Sequence, residues 1–431
     1  MMGGSTVSSP SSILLCTVGG SHKPILTAIA QARPDHVVFF ATGPDPATGR
    51  PGSVQQIQGQ GTPVEDRQPD GQIRKLANIP TLAGLAAGTF QALEVPTDDL
   101  DGAVAIMRQA IQDLRRDHPV ATLTADYTGG TKTMTAALVI AALESENVEL
   151  QLVTGARGDL LKVQDGSQSS ITMSVETIRL RRAMAPFLTA WDSFNYAEAA
   201  AGLARLPLPR NALLRGELLI ARDLSRAFDA WDRFDHVSAQ PILENYRARI
   251  GRHSGLLFTF LDLLLANDAR QRPARLWDLW LNAQRKGAQA RYDDAVARLY
   301  RLTEATAQWL LARRGIDTAA LAPEQLPPDS DLRPTHDGMY KAGLLDAWRL
   351  AAHHLGGEVA GFFAQQGEPL RHHLLVRNAS LLAHGDQPIG PADWQGFNAW
   401  AERHLLPLIV REAQADGFRL QPPQLPRQPL W

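Results

Sequence analysis

An α/β domain followed by an all-helical one is the fold class this sequence predicts, and three observations carry it. Up to residue 180 short apolar runs alternate with helix-patterned segments, beyond it only long amphipathic segments recur, and all nine tryptophans lie at Trp191 or later. Charge changes at the same place, from 13 Lys plus Arg against 18 Asp plus Glu in residues 1–180 to 30 against 27 in residues 181–431. A chain of 431 residues accommodates two domains divided there.

The first strand is ILLCTV (13–18), and VVFFAT (37–42) is the second; Pro24 to Ala32 fits a helix between them, with Pro in its first turn. A Pro/Gly/Gln-rich stretch, residues 43–63, reads as a long loop. Then come strand FQALEV (90–95), a helix over 98–117, strand ATLTADYT (121–128), a helix over 131–145 and strand VELQLVTG (148–155). Repeated β-α-β units with near-continuous apolar strands predict a parallel sheet covered on both faces, a Rossmann-like domain. After residue 180, segments 215–234, 290–314 and 340–355 place apolar residues three and four apart, and Pro-containing stretches such as 321–338 separate them. Trp277, Trp280 and Trp309 are expected in the core, and the terminal QPPQLPRQPLW is expected to be an extended tail.

Composition excludes several classes. The single Cys16 rules out an internal disulfide framework and multi-cysteine metal sites, and no H-E-x-x-H or similar spacing suggests zinc. The longest strongly apolar run, Ala136 to Leu143, is too short to cross a bilayer, and the N-terminus lacks a positive region before its short apolar run. A soluble, cytoplasmic protein without membrane attachment is expected. A net charge of −2 gives neither half the basic balance of a general nucleic-acid binder.

Two strand-to-helix turns carry similar chemistry. Gly19-Gly20-Ser21-His22-Lys23 follows the first strand, and Thr128-Gly129-Gly130-Thr131-Lys132-Thr133 follows ATLTADYT. Paired glycines admit a ligand close to the backbone, the helix N-terminus offers free N–H groups, and Ser/Thr and Lys add anion donors. Only six lysines occur in the chain, and two are here. Neither turn has the G-x-x-x-x-G-K-[ST] or G-x-G-x-x-G spacing, so ATP hydrolysis and dinucleotide redox chemistry lack their usual signatures.

The segment Asp126-Tyr127-Thr128-Gly129-Gly130-Thr131-Lys132-Thr133-Met134 resembles the signature loop of CARF domains, the Rossmann-like sensors of type III CRISPR systems that bind cyclic oligoadenylates. The order of elements over residues 12–180 is similar too. The resemblance implies a homodimer holding one cyclic oligoadenylate on its two-fold axis, contacted by both turns of each subunit. A ring with an even number of identical nucleotides satisfies that symmetry.

In the helical half, Arg377-Asn378-Ala379-Ser380-Leu381-Leu382-Ala383-His384 resembles the R-x(4 to 6)-H motif of HEPN ribonucleases. With 37 Arg and 12 His, about three chance matches are expected, and three occur: Arg247 to His253, Arg349 to His354, and Arg377 to His384. On a continuous helix only the spacing of seven returns to one face, about 10 Å along the axis. His373, Arg377, Ser380 and His384 would then form a polar seam flanked by Leu374, Leu375, Leu381 and Leu382, with Gly385, Asp386 and Pro388 ending the helix. His353, His354 and His372 read as surface or packing residues, and Arg301 and Glu304 as structural.

This constellation suits metal-independent cleavage of single-stranded RNA. The substrate 2′-hydroxyl attacks its own phosphorus, cationic donors stabilise the developing charge, and the leaving 5′-oxygen takes a proton. The resemblance gives Arg377 the first task and His384 acid or base work, with Asn378 positioning phosphate or His384. No cofactor or metal is expected beyond the cyclic activator. Rivals are a non-catalytic sensor recruiting a partner, a CARF domain that degrades its own ligand, and a transcriptional regulator, for which no basic recognition helix is present.

Overall fold

The computed structural model describes residues 10–68, 71–145, 147–154, 169–251, 255–383 and 385–431. It divides into two compact units, Met1–Arg179 and Leu180–Trp431.

The first unit is built on a six-stranded sheet: β1 (Ser12–Thr17), β2 (His36–Thr42), β5 (Phe90–Val95), β6 (Thr122–Asp126), β7 (Val148–Thr154) and β8 (Ser169–Met173), in the order β5-β2-β1-β6-β7-β8. Helices α1 (Lys23–Ala32), α4 (Leu100–Asp117) and α5 (Lys132–Glu144) connect the parallel strands, and α6 (Glu176–Thr189) leads out of the unit. The strand period of two explains why β1 is apolar throughout. Ile13 and Leu15 join the core with Met107, Ile111 and Leu138, whereas Leu14 and Cys16 join the opposite core with Ile25, Ile29 and Phe39. Buried between these layers, the Cys16 thiol is pushed well above its ordinary pKa by desolvation and by the nearby Asp126 carboxylate.

Two features depart from an all-parallel sheet. β8 is an antiparallel edge strand pairing with β7 from Leu150↔Met173 to Thr154↔Ser169. A separate hairpin, β3 (Val64–Arg67) with β4 (Ile73–Leu76), follows the Gly/Pro-rich loop, which itself carries the short helix α2 (Gln55–Gln58); α3 (Ile79–Leu82) comes next. The hairpin and β8 are mostly exposed, so their polar residues give no apolar run to read.

The second unit is helical: α7 (Tyr196–Ala204), α8 (Ala212–Asp232), α9 (His236–Asn245), α10 (Arg247–Ile250), α11 (Gly255–Leu265), α12 (Gln271–Ala288), α13 (Tyr292–Ala312), α14 (Leu344–Leu355), α15 (Gly357–Asn378), α16 (Pro391–Trp400), a π-helical turn Ala401–Leu405, and α17 (Leu406–Ala413). The tryptophans confined to this half build its core, with Trp191, Trp231 and Trp348 fully buried and Trp277, Trp280 and Trp309 nearly so. A buried indole usually finds an acceptor for its N–H, and although the Trp231 N–H has none among the described residues, others do. Trp191 donates to Ser225 Oγ at 2.9 Å, Trp309 to Asp416 Oδ2 at 3.1 Å and Trp348 to the Thr303 carbonyl at 3.2 Å.

A buried ionic network links α8, α9 and α12. Arg285, with no exposed surface, donates to Asp232 Oδ1 at 2.7 Å, Asp278 Oδ1 at 3.2 Å and Gln424 Oε1 at 2.8 Å. His236 Nε2 lies 2.9 Å from Asp278 Oδ2, and Lys286 Nζ is 2.5 Å from Asp232 Oδ2. Gln424 belongs to the terminal segment, which is extended yet docked: Leu425 is buried, the Tyr196 hydroxyl donates to the Pro426 carbonyl at 2.5 Å, and Trp431 meets Trp191 edge-on at 5.8 Å.

Candidate functional site

In the first unit the chain leaves β1 and β6 in opposite directions across the sheet, toward β2 and β7, so the two glycine turns flank the switch point at the strands' carboxyl ends. That is where open α/β sheets bind ligands. The turns touch. A Cβ on Gly19 would stand 2.5 Å from the Gly130 nitrogen, and one on Gly129 would stand 2.5 Å from the Thr17 carbonyl oxygen. Gly130 also has φ +90°, a conformation that side chains with a Cβ rarely adopt.

Hydroxyl groups hold the second turn in place. Thr17 Oγ1 donates to the Gly129 carbonyl at 2.6 Å and Thr135 Oγ1 donates to it at 3.0 Å. Thr128 Oγ1 accepts from Val153 N at 2.7 Å, and Thr131 Oγ1 caps α5 by accepting from Met134 N at 3.2 Å. Asp126 accepts from Thr128 N and Gln151 Nε2; burial nevertheless pushes its carboxyl above the ordinary aspartate range. Gly20, Ser21 and Lys132 are exposed, Thr133 is half-buried, and His22 is buried. Lys23 pairs with Asp66 of the β3–β4 hairpin at 3.3 Å, and Gln56 Nε2 donates to the Gly19 carbonyl at 2.7 Å. Asp66, Gln56 and Thr17 carry no signal in the sequence that would connect them with the turns.

In the second unit the expected continuous helix through residue 384 is not formed. α15 ends at Asn378, and the following segment folds back on it, with a bridge between Ser380 and Gln387, Gly385 N donating to the Ser380 carbonyl at 3.2 Å and Gln387 N to the Ala379 carbonyl at 3.1 Å. A Cβ on Gly385 would stand 2.1 Å from the Ala379 oxygen, so glycine permits the fold-back. His384 lies outside the described residues, as does His253. Over the described residues the expected seam of His373, Arg377 and Ser380 is therefore replaced by a helix end at Asn378 and a turn at Ser380.

His373 leaves the seam for another reason. Its ring stacks on Phe397 with centroids 4.7 Å apart at 8°, and burial, followed by the neighbouring His372, holds its pKa below the ordinary 6.5. The unfolded chain thus takes up a proton that the stacked ring resists, so stability is full above about pH 6.5 and falls as pH drops below it. His373→Phe should remove this component. Thermal midpoints of the two proteins, measured from pH 8 to pH 5, should diverge in the variant's favour toward pH 5; a constant difference would contradict the assignment.

Local pairing separates the three Arg–His matches where helix geometry does not. Arg247 pairs with Glu244, Arg349 pairs with Asp346 at 2.9 Å, and His354 Nε2 lies 2.7 Å from the Gln325 carbonyl. Among the described residues Arg377 has no carboxylate partner. Its Nη1 donates to Asn378 Oδ1 at 3.2 Å, its guanidinium carbon stands 4.3 Å from the centroid of the Tyr300 ring, and its buried Nε has no acceptor. Asn378 itself is exposed, and around it Leu375, Leu381 and Leu382 are 62%, 70% and 52% exposed. Arg301 is engaged with Glu304 and Gln308 on α13. Among the described residues no group of three or more His, Cys, Asp or Glu side chains is placed to hold a metal ion, and no helix is long and apolar enough to cross a membrane.

Fold and loops together define the class, a Rossmann-like α/β domain followed by a helical domain that contains a segment similar to a HEPN family. Residues 266–405 match the family model described as the Csm6 HEPN domain, a segment that contains α13, Arg377 and Asn378. The solved structure of Enterococcus italicus Csm6 bound to cyclic hexa-2′-fluoro-hexa-dAMP is similar in fold, with a TM-score of 0.54 at 11% identity, covering 93% of this chain and 95% of that one. Can2 from Sulfobacillus thermosulfidooxidans, in complex with cyclic tetra-adenylate, aligns over 55% of this chain and 69% of its own at 14% identity, with a TM-score of 0.24, too low to indicate a shared fold. No curated protein matches the sequence.

Proposed function

We propose that the protein is a cyclic-oligoadenylate-activated, metal-independent single-stranded RNA endoribonuclease of type III CRISPR antiviral defence, working as a cytoplasmic homodimer. The observation that carries this is Arg377, a cation without a carboxylate among the described residues, at the end of α15 inside the segment that matches the HEPN family. An arginine kept out of ion pairs remains available to an anion of the substrate.

In the proposed mechanism the RNA 2′-hydroxyl attacks the adjacent phosphorus, Arg377 stabilises the charge growing on the phosphorane oxygens, and His384 moves a proton to or from the reacting oxygens. Asn378 holds Arg377 through its side-chain oxygen. DNA lacks the attacking hydroxyl and is a poor substrate by this route.

Two apolar surfaces support the homodimer. α5 is apolar around its circumference, with Val139, Ile140 and Leu143 only half-buried and Ala136 exposed beside the second glycine turn. In the other unit, Leu375, Leu381 and Leu382 surround the Arg377 end of α15. Each surface could be covered by its own counterpart in a second copy, and isologous contact at the second would bring two Arg377 side chains together. Activation then requires only that the cyclic ligand bind the cleaving arrangement better than the inert one.

The test is a fluorescent RNA incubated with the protein and a panel of cyclic oligoadenylates, with and without EDTA. Cleavage should need one of the rings and should survive EDTA; absence of cleavage with every ring would end the proposal. Lys132, exposed in the first turn of α5, should contribute to holding the activator phosphates. Lys132→Ala is expected to weaken binding about tenfold by calorimetry with the fold intact, and unchanged affinity would remove that turn from the site.

A further inference from the structure

Tyr300 projects from α13 onto the end of α15 and meets Arg377. The 4.3 Å between the guanidinium carbon and the ring centroid is a cation–π contact. Arg427, in the terminal segment, rests on Phe194 at 4.8 Å with no ion pair among the described residues, whereas Arg247, over Phe258 at 3.9 Å, also pairs with Glu244, and Arg313, over Trp309 at 5.5 Å, also pairs with Glu412. For the latter two the ring adds to an ion pair. For Arg377 the ring and the Asn378 oxygen are the contacts that orient it among the described residues.

Those contacts restrict what the guanidinium can still do. The guanidinium carbon stands over the phenol ring, and Nη1 is engaged by Asn378. The Nε–Nη2 edge remains, and its Nε is buried without an acceptor. A buried donor on a cation is costly to leave unmade and calls for an acceptor supplied from elsewhere. A guanidinium presents its N–H groups to phosphodiester oxygens in a fixed planar fork, a geometry that a lysine ammonium does not offer.

We propose that Tyr300 is a positioning residue for RNA cleavage, its ring holding the Arg377 guanidinium in place so that the N–H groups not engaged by Asn378 are presented to the scissile phosphodiester. The inference rests on the ribonuclease activity proposed above. Charge alone does not suffice at position 377 in this arrangement, because orientation supplies the forked contact. The Tyr300 hydroxyl has no hydrogen bond among the described residues, so the aromatic face and not the phenol oxygen does the positioning.

The test compares Tyr300→Phe, Tyr300→Leu and pentafluorophenylalanine at position 300 in the full-length protein. Single-turnover cleavage is measured at saturating activator, together with affinity for an RNA carrying a 2′-deoxynucleotide at the scissile position, and the thermal midpoint. Tyr300→Phe should cleave within about threefold of the wild type, whereas Tyr300→Leu should lose roughly tenfold to thirtyfold, the range a desolvated cation–π contact supports. Pentafluorophenylalanine keeps the ring's shape and reverses the charge of its face, so it should resemble Leu in rate and Phe in thermal midpoint, even where the Leu variant folds poorly. Arg377→Lys should lose at least as much rate as Tyr300→Leu. A Tyr300→Leu or pentafluoro variant that cleaves at the wild-type rate overturns the inference and leaves the ribonuclease proposal standing. A wild type inert with every ring overturns both.

Discussion

Arg377→Ala is expected to lower activator-dependent RNA cleavage by about 10²- to 10³-fold, the usual consequence of removing one donor that stabilises transition-state charge. Activator affinity, measured by calorimetry, should stay at the wild-type value, because Arg377 lies outside the unit that carries the glycine turns. Thermal stability should fall little, since Arg377 takes part in no ion pair among the described residues. Asn378→Ala should do less damage than Arg377→Ala, because Asn378 contacts Arg377 through one hydrogen bond of 3.2 Å. His384→Ala should be as severe as Arg377→Ala if the same centre moves the proton. Activator-dependent cleavage surviving in both Arg377→Ala and His384→Ala would remove this end of α15 from catalysis.

Arg285→Ala should cause the largest loss of stability. The guanidinium sits without exposed surface between Asp232 and Asp278, and removing it leaves two buried carboxylates, Asp232 with the Lys286 ammonium and Asp278 with its hydrogen bond to the His236 ring. Removing one partner from a buried ion pair costs about 3–5 kcal/mol, a large share of the roughly 5–15 kcal/mol that holds a typical native protein together. Arg285→Met should behave similarly, because its volume does not replace the charge. Urea midpoints measure the effect directly, and a variant unfolding at the wild-type midpoint would show that the network is neutral to stability.

The parts of the fold legible in the sequence are those whose physics is local or periodic. β1, β2, β6 and β7 pack in the interior of the sheet and are read from near-continuous apolar runs, and the amphipathic α8, α13 and α14 from their spacing. The β3–β4 hairpin and β8 present most of their residues to solvent, so no apolar period marks them. The glycine turns could be found as candidate ligand loops. Their supports could not, because Thr17, Gln56 and Asp66 reach them from distant positions.

At the other site, Arg377 and Asn378 were legible as a motif, but a helical spacing rule assumes that the helix continues. Ser380, Gly385 and Gln387 close a loop instead, and His373 turns to the aromatic side chains of α16. Tyr300 sits within a helix easily recognised from the sequence, yet nothing in its spacing relates it to a residue 77 positions later. The terminal segment reads as a loose tail because of its prolines. Its docking depends on single residues, Gln424, Leu425 and Trp431, which make no pattern.

The Lys23–Asp66 pair has a consequence for signal discrimination. On the proposed function, an anion approaching α1 meets a lysine whose charge is already countered by a carboxylate, and competes with Asp66 for it. A single phosphate group, offering one weak contact, would gain little from that exchange. A ring presenting several phosphates spreads the same cost over many contacts and still binds. On that proposal Asp66 would act as a resident competitor at the turn, setting a threshold that a ring with several phosphates passes more readily than a single phosphate group.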